Sequence, residues 1–577
     1  MRLTIRLLSS VARKRPFYVT TPIFYVNAAP HLGHLYSALV ADAVQRFEKL
    51  TNPDCNIIFS TGTDEHGTKI QQAATKANLS LSTYCDIISQ EYRDLFRDFN
   101  INHTDFIRTT EDRHKKAVTH FWNELVKRDY IYKAKYSGWY SINDEAFIPE
   151  THLKEDIVDG EKVKISIESG HSVEWTEETN YMFRLSAFKT HLQDWLKTDG
   201  VVTPVRFQKQ LLDYLNNETY FPDISVSRPS SRVHWAIRVP GDDDQSIYVW
   251  LDALINYLSV IGYPDEEVMK RNGRPWPADV QVVGKDILKF HGIYWPAFLM
   301  AIGYHPPRRL LCHAHWTVDG TKMSKSLGNV VSPRQAGAPP SALRYLLLRE
   351  ATMAYDANFS ETKLINIANS ELADTLGNLA SRCAAPALHT LHTSHTLHTS
   401  HTLHTSHTLH TSHTLHTPHT HNTVSAHTLT ACRGEDTTGK LMDAVERLPE
   451  LCHGYYSNYQ FYKAADSVIH VLHLANLFFE TQKPWELKKK NSQEQLDAVL
   501  YIITETLRIC SIILQPLIPD LATQLLDKLQ VPKDCRNWQH CETPSWIDGA
   551  VHANIQPGKF VLFQRIYTDK KAKKISA

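Results

Sequence analysis

The feature that most narrows the fold is the order of patterns between Phe17 and Gly67. An apolar run, Phe17 to Thr21, reads as a strand. A helix begins near Leu35 and carries Leu35, Leu39, Val40, Ala43, Val44, Phe47 and Leu50 on one face. A second apolar run, Asn56 to Ser60, ends in the polar stretch Thr61-Gly62-Thr63-Asp64-Glu65-His66-Gly67. Strand, helix and strand in that order form a parallel βαβ unit, whose ligands collect at the carboxyl ends of the strands. Asp64 and His66 therefore face the same crevice as the first turn, Tyr25 to His34. In that turn Gly33 lets backbone come close to a ligand, the helix N-terminus presents unpaired N–H groups to an anion, and His31 and His34 add donors that can follow moving charge. A capped turn with two surface histidines fits the tetrapeptide as well, and Asp64 could simply cap the next helix.

With 577 residues, 42% hydrophobic and 21% charged, the chain can form several domains, each with its own core. No apolar run is long enough to span a bilayer. Lys+Arg 62 against Asp+Glu 62 leaves no net charge, so any phosphate-binding surface must be a local patch. The nine cysteines are scattered without a C-x-x-C pair, which implies neither a disulfide framework nor a zinc ribbon and makes a reducing compartment the default. Met1 to Pro16 holds Arg2, Arg6, Arg13, Lys14 and Arg15 with Ser9 and Ser10, and no acidic residue precedes Asp42. That is the composition of a mitochondrial transit peptide, with a basic tail on a cytosolic protein as the alternative.

Glu111 to Gln210 reads as an excursion from the sheet, with an aromatic and acidic insertion from Tyr136 to Tyr181. The sheet is expected to return with Ser246 to Leu251, leading into Asp252 to Tyr257. A buried strand, Val280 to Val283, ends in Gly284-Lys285-Asp286, and a helix with His291 and Trp295 follows. After a further strand, Leu310 to His313, the loop Asp319 to Asn329 places Lys322 and Lys325 three apart with Ser324 and Ser326 between glycines. Such a cationic loop can grip phosphate and release it, although a solvated surface loop can look similar. From about Pro340 to Leu529 the apolar residues recur at helical spacing, as in Leu372, Leu376 and Leu379 or Leu496, Leu500, Ile503 and Leu507, which predicts a helical bundle. Within it, Ala387 to Ala426 repeats Leu-His-Thr-Ser-His-Thr, too sparse in leucine to build a core, and reads as a disordered loop.

His31-Leu32-Gly33-His34 and Lys322-Met323-Ser324-Lys325-Ser326, in that order on either side of an insertion, resemble the two signatures of class I aminoacyl-tRNA synthetases. Adding Tyr25-Val26-Asn27, Thr63-Asp64-Glu65-His66-Gly67, Tyr248-Val249-Trp250-Leu251-Asp252-Ala253, Gly284-Lys285-Asp286, His291 and Trp295, the chain is similar to the methionyl branch, in its mitochondrial form, from Phe17 to about Leu529 apart from the repeat. The resemblance implies an α/β protein with a Rossmann-like parallel-sheet catalytic domain over 17–339, interrupted by a connective insertion over about 111–210. The knuckle at 136–181 contains no cysteine and resembles the zinc-free kind, so neither metal nor structural zinc is expected. An α-helical anticodon-binding domain over 340–535, containing the repeat 387–426, and a C-terminal extension over 536–577 complete the expected layout, after a transit peptide over 1–16.

The same resemblance implies the chemistry. His31, His34, Lys322 and Lys325 would be catalytic, the histidines on the pentacoordinate phosphate and the lysines following charge onto pyrophosphate. Gly33, Arg228, Lys285 and Asp286 join them at ATP, which brings Mg²⁺ with its phosphates. Ile23, Tyr25, Trp250, Ala253, Tyr257, His291 and Trp295 match the amino-acid pocket, and their aromatic character suits an apolar, polarizable thioether. Asp64 would meet the methionine ammonium, and Leu254 stands where some bacterial members have proline. Asn378 and Arg382, four apart on one helix face, and Trp485 match the anticodon-binding positions. Lys488, Lys489 and Lys490 fit phosphate contact or a solvated face equally. The expected partners are tRNA(Met), L-methionine and ATP, with no membrane, and the expected state is a monomer in the mitochondrial matrix. A leucyl enzyme would need an editing insertion that this length hardly allows, and a cysteinyl one a zinc site whose cysteines are missing. A smaller nucleotidyl transferase would leave Asn378, Arg382 and Trp485 unexplained, and a catalytically silent tRNA-binding protein would not need His31, His34, Lys322 and Lys325.

Overall fold

The computed structural model describes residues 15–141, 146–148, 150–158, 161–167, 170–217, 221–323, 328–389, 429, 433–548 and 553–567. The basic stretch before Arg15, expected as a transit peptide, Lys325 and most of the histidine repeat (390–426) lie outside them. Two compact units are present, one reaching Ile365 and including Tyr459–Tyr462, the other formed by Asn366–Asn458 and the chain from Lys463 onward.

The first unit is built on a six-stranded sheet in the order Asp105–Arg108, Ile57–Asp64, Phe17–Tyr25, Val280–Gly284, Leu310–His313 and Val202–Thr203. Every neighbouring pair is parallel. The chain winds outward from Phe17–Tyr25 in one direction; on the other side Val202–Thr203 takes the edge and the later strands Val280–Gly284 and Leu310–His313 fill the space between. The switch point, where ligands bind in open α/β sheets, therefore lies between Phe17–Tyr25 and Val280–Gly284. The crossover helix Leu32–Thr51 is buried nearly all round between Leu35 and Gln45. Its Asp42, fully buried, is paired with Arg46 and Arg344; burial opposes the charge, but the two guanidiniums hold the carboxyl below its ordinary range.

Several elements differ from the sequence expectation, each for a physical reason. The first strand runs on to Tyr25 through a register shift between Thr20 and Ile23, where Pro22 has no N–H to give the ladder. The helix starts at Leu32, because His31 takes the cap position with extended backbone. Ser246 to Leu251 does not return to the main sheet. Asp242–Ile247 pairs antiparallel with Ser227–Pro229 and Arg238–Val239 in a separate three-stranded sheet, and Val249–Leu254 is helical. A short apolar run does not by itself distinguish a strand from a buried helix. Within the stretch read as an excursion, Ile131–Ser141 and Glu174–Phe183 do form a long antiparallel pair, yet Val202–Thr203 adds an edge strand to the main sheet. Two residues are too few to show a period.

The boundary expected at 339 falls at Ile365 by compactness, since the helix Pro340–Glu350 buries Leu343, Leu346 and Leu347 within the first unit and supplies Arg344 to Asp42. The second unit contains the helices Asp436–Ser457, Pro484–Lys489, Gln493–Leu514 and Pro519–Lys528, together with Asn378–Cys383 and, from Lys463 onward, the helix Phe461–Gln482. The segment expected as a C-terminal extension lies along these helices. Asn554 N–H donates to Leu529 O (3.1 Å), Gly558 N–H to Ala384 O (2.9 Å), and Asn369 and Ile566 exchange two bonds of 2.8 Å. No helix among the described residues is long and apolar enough to cross a membrane.

Candidate active site

The first turn organises itself through its histidines. Gly33 N–H donates to His31 Nδ1 (3.1 Å), and His31 N–H donates to His34 Nδ1 (3.2 Å), a capping box in which His34 replaces the usual Glu or Gln. The two rings stack at 3.6 Å. Because each Nδ1 accepts, the neutral rings carry their protons on Nε2. Tyr92 Oη, 2.9 Å from His34 Nδ1, is a donor to it that the sequence did not signal. A Cβ on Gly33 would come within 3.0 Å of the His31 ring and 4.0 Å of the Met323 methyl, so glycine leaves the room.

The lysine segment flanks this turn on both sides. Met323 approaches Gly33, and Leu32 N–H donates to Val331 O (3.1 Å) beyond the loop. Lys322 ends a small hairpin, Trp316–Val318 with Thr321–Lys322, and its Nζ is 3.6 Å from Asp286 Oδ2. Asp286 also meets His315 Nε2 at 3.3 Å. Partial desolvation opposes the charge of Asp286, whose side chain is about half exposed, but the His315 hydrogen bond and the nearby cations hold its carboxyl well below the usual range. Lys285, beside it, is bonded to Asp356 at 2.7 and 2.8 Å. Arg228 is buried on the strand Ser227–Pro229 against the rings of Tyr140, Phe147 and Tyr248, with Nη1 donating to Ser225 Oγ (2.8 Å) and Ser227 O (2.7 Å).

The aromatic group forms a second cluster in the same unit. Trp250, on the helix Val249–Leu254 with Ala253, stacks on Phe290 at 3.6 Å and 7°. Phe290 was not among the expected pocket residues. Phe290–Tyr294 is a π-turn, and Trp295 opens the α-helix that follows it. Tyr257 Oη lies 2.7 Å from His291 Nε2, and His291 Nδ1 lies 3.0 Å from Ile287 O. The carbonyl can only accept, so Nδ1 donates to it and Nε2 accepts from Tyr257. Burial pushes the His291 pKa down to about 4 and raises that of Tyr257, so both are neutral at ordinary pH. Trp295 is wholly buried between Tyr257 (5.8 Å) and Phe121 (6.3 Å). Ile23 and Tyr25 end the first strand in register with Gly62 and the buried Asp64.

A further set, absent from the expected site, joins these parts. Asp252 accepts from His66 Nδ1 (2.6 Å) and His114 Nε2 (2.8 Å). Burial disfavours its charge, but the two imidazoles more than offset this and hold its pKa at about 2. His66 and Asp252 lie inside recognisable motifs, but nothing local marks His114. Among the described residues no group of three or more His, Cys, Asp or Glu is placed to hold a metal ion.

In the second unit, Asn378 is exposed on the helix Asn378–Cys383. Arg382, on the same helix, pairs with Glu480, lies 2.6 Å from Asn476 Oδ1 and stacks 4.8 Å over Phe479. Phe479 in turn packs 6.2 Å from Trp485, which is 37% exposed and so leaves part of its ring to stack on a ligand. Lys488 is half-buried, whereas Lys489 and Lys490 are exposed.

Residues 17–384 match the family described as tRNA synthetases class I (M), and residues 441–558 match the anticodon-binding domain of tRNA ligases. The mitochondrial methionine–tRNA ligase of Mus musculus is 45% identical over 89% of this chain and 85% of its own length. The chain belongs to the class I methionyl-tRNA synthetases. The mitochondrial methionine–tRNA ligase of Xenopus laevis is 41% identical, over 98% of this chain and 95% of its own. Among solved members of the methionyl-tRNA synthetase family, the Mycobacterium tuberculosis enzyme in complex with methionyl-adenylate superposes with a TM-score of 0.80 at 31% identity, covering 96% of this chain and all of that one.

Proposed function

We propose that the chain activates L-methionine with ATP and transfers it to tRNA(Met) for translation in the mitochondrial matrix. The observation that carries this reading is the meeting of the histidine turn and the lysine hairpin at Gly33, in the unit that also holds a neutral aromatic cluster. Methionine's carboxylate attacks the α-phosphorus of ATP and pyrophosphate leaves; a hydroxyl of the terminal ribose of the tRNA then attacks the methionyl carbonyl of the mixed anhydride and AMP leaves. Both nucleophiles belong to the substrates, so the protein contributes position and charge stabilisation.

His31 and His34 direct Nε2–H donors at the pentacoordinate phosphate, with Tyr92 setting the His34 ring. Lys322 exchanges Asp286 for the leaving pyrophosphate, and Lys325 acts with it. Lys285 and Asp286 serve the nucleotide beside Gly33, and Arg228 supports that side from the wall behind Tyr248. The thioether is held by Trp250, Ala253, Tyr257, His291 and Trp295, with Ile23 and Tyr25 at the strand end and Asp64 on the ammonium. Mg²⁺ enters on the triphosphate as part of the substrate. In the second unit Asn378, Arg382 and Trp485 read the anticodon, and the enzyme works as a monomer.

Amino-acid-dependent ATP–pyrophosphate exchange over a panel of amino acids is the test. Methionine alone should support exchange; equal exchange with leucine or cysteine would refute the assignment.

A further inference from the structure

We propose that Asp252 is a positioning residue for methionine: its buried carboxylate joins His66 to His114 and so holds the segment bearing Asp64 in register with the helix bearing Trp250 and Ala253. The inference rests on the assignment of Asp64, Trp250 and Ala253 to methionine.

Three separate stretches meet at this carboxylate. His66 is two residues beyond Asp64, in the turn that leaves the second sheet strand. His114 lies in the first turns of the helix Asp112–Lys127. Asp252 follows Trp250 by two and precedes Ala253, on the short helix Val249–Leu254. Their exposures are 4%, 0% and 0%, so none of the three is arranged to touch solvent. His66 Nδ1 is 2.6 Å from Asp252 Oδ2 and His114 Nε2 is 2.8 Å from Oδ1, which occupies both carboxylate oxygens. The far side of His114 is also held, with Nδ1 3.0 Å from Ser259 Oγ, one turn beyond Ile255. The His66 turn is fastened a second time, since Trp235 Nε1–H donates to Glu65 O (2.6 Å) and Gly67 N–H donates to Trp235 O (3.0 Å).

A buried ion set of this kind is expensive, and apolar residues of the same volume commonly serve stability as well or better. What such a set does provide is direction. Each oxygen accepts from one ring along one line, so the distance between the two segments is defined rather than averaged over packing alternatives. Those segments carry the two grips on methionine, one for its ammonium and one for its side chain. The turn His31–His34 is fastened elsewhere, through Tyr92 and Val331, so an error at Asp252 falls on methionine and spares ATP.

The test is methionine-dependent ATP–pyrophosphate exchange by the full chain with Asp252→Asn and, separately, His66→Asn. The KM for methionine should rise about 10-fold or more in Asp252→Asn and a few-fold in His66→Asn, with the KM for ATP within about 2-fold of the parent, the split expected of lost positioning at one substrate. A parallel rise in both KM values, or a fall in kcat with the methionine KM unchanged, would overturn the proposal. If Asp252→Asn does not fold, His66→Asn decides by the same split, because it keeps the His114 bond. Asp64→Asn and Trp250→Ala serve as controls on the underlying assignment. If neither raises the methionine KM, it is the pocket assignment that fails; if they do and the Asp252 and His66 variants do not, only the present inference fails.

Discussion

The histidine turn and the aromatic cluster lie in one unit and are built on opposite electrostatics. Around Gly33 the groups are polar and paired in ways that can be exchanged. Lys322 rests 3.6 Å from Asp286 with its side chain 64% exposed, a long and solvated ion pair that phosphate can displace at little cost. Around Trp295 the groups are neutral and closed. Tyr257 and His291 satisfy each other at 2.7 Å, burial keeps both uncharged, and Trp250 lies flat on Phe290. The contrast matches the two substrates of the family. A triphosphate changes charge during the reaction and needs partners that move, whereas a thioether stays apolar and needs a fixed wall.

The largest effect expected is at the wall. Trp295→Ala removes a fully buried indole and should cost about 3–5 kcal/mol of stability, measurable by denaturant unfolding. A loss below 1 kcal/mol would mean the cluster is softer than its burial implies. Lys322→Ala should raise the barrier of pyrophosphate exchange by roughly 2–4 kcal/mol with the methionine KM unchanged. A matching rise in that KM would break the division between the exchangeable pairs around Gly33 and the closed wall around Trp295. Trp485→Ala should cost about 1–3 kcal/mol in tRNA charging and nothing in exchange; exchange falling as far as charging would remove Trp485 from the anticodon site.

The last test is a pH dependence. His291 titrates at about 4 in the folded chain against 6.5 when unperturbed, so between those values the unfolded chain binds more protons. Its contribution to stability is complete above about pH 6.5 and is lost as pH falls toward 4. His291→Gln should flatten that part of the stability curve, and an unchanged curve would show that the histidine is not held neutral.

Much of this was legible in the sequence because it is written locally. The parallel βαβ start shows in apolar period, the histidine turn and lysine loop show in residue type and spacing, and the helical second unit shows in its leucine repeat. Legibility failed where structure depends on partners far along the chain. Val202–Thr203 is a strand only because Leu310 and Leu311 lie beside it. Pro340–Glu350 belongs to the first unit because Arg344 finds Asp42, and its own pattern is equally that of a bundle helix.

The amino-acid order by itself therefore determined the parallel α/β class, the helical second unit, and the family, since the two signatures and the motifs between them are contiguous in the chain. Only the tertiary structure decided that Trp250 lies on Phe290, that Lys322 rests by Asp286, and that His66, His114 and Asp252 share one carboxylate. These pairings span up to 186 residues, and each is selected by what the packed core leaves within hydrogen-bonding or van der Waals reach, a quantity that no local period encodes.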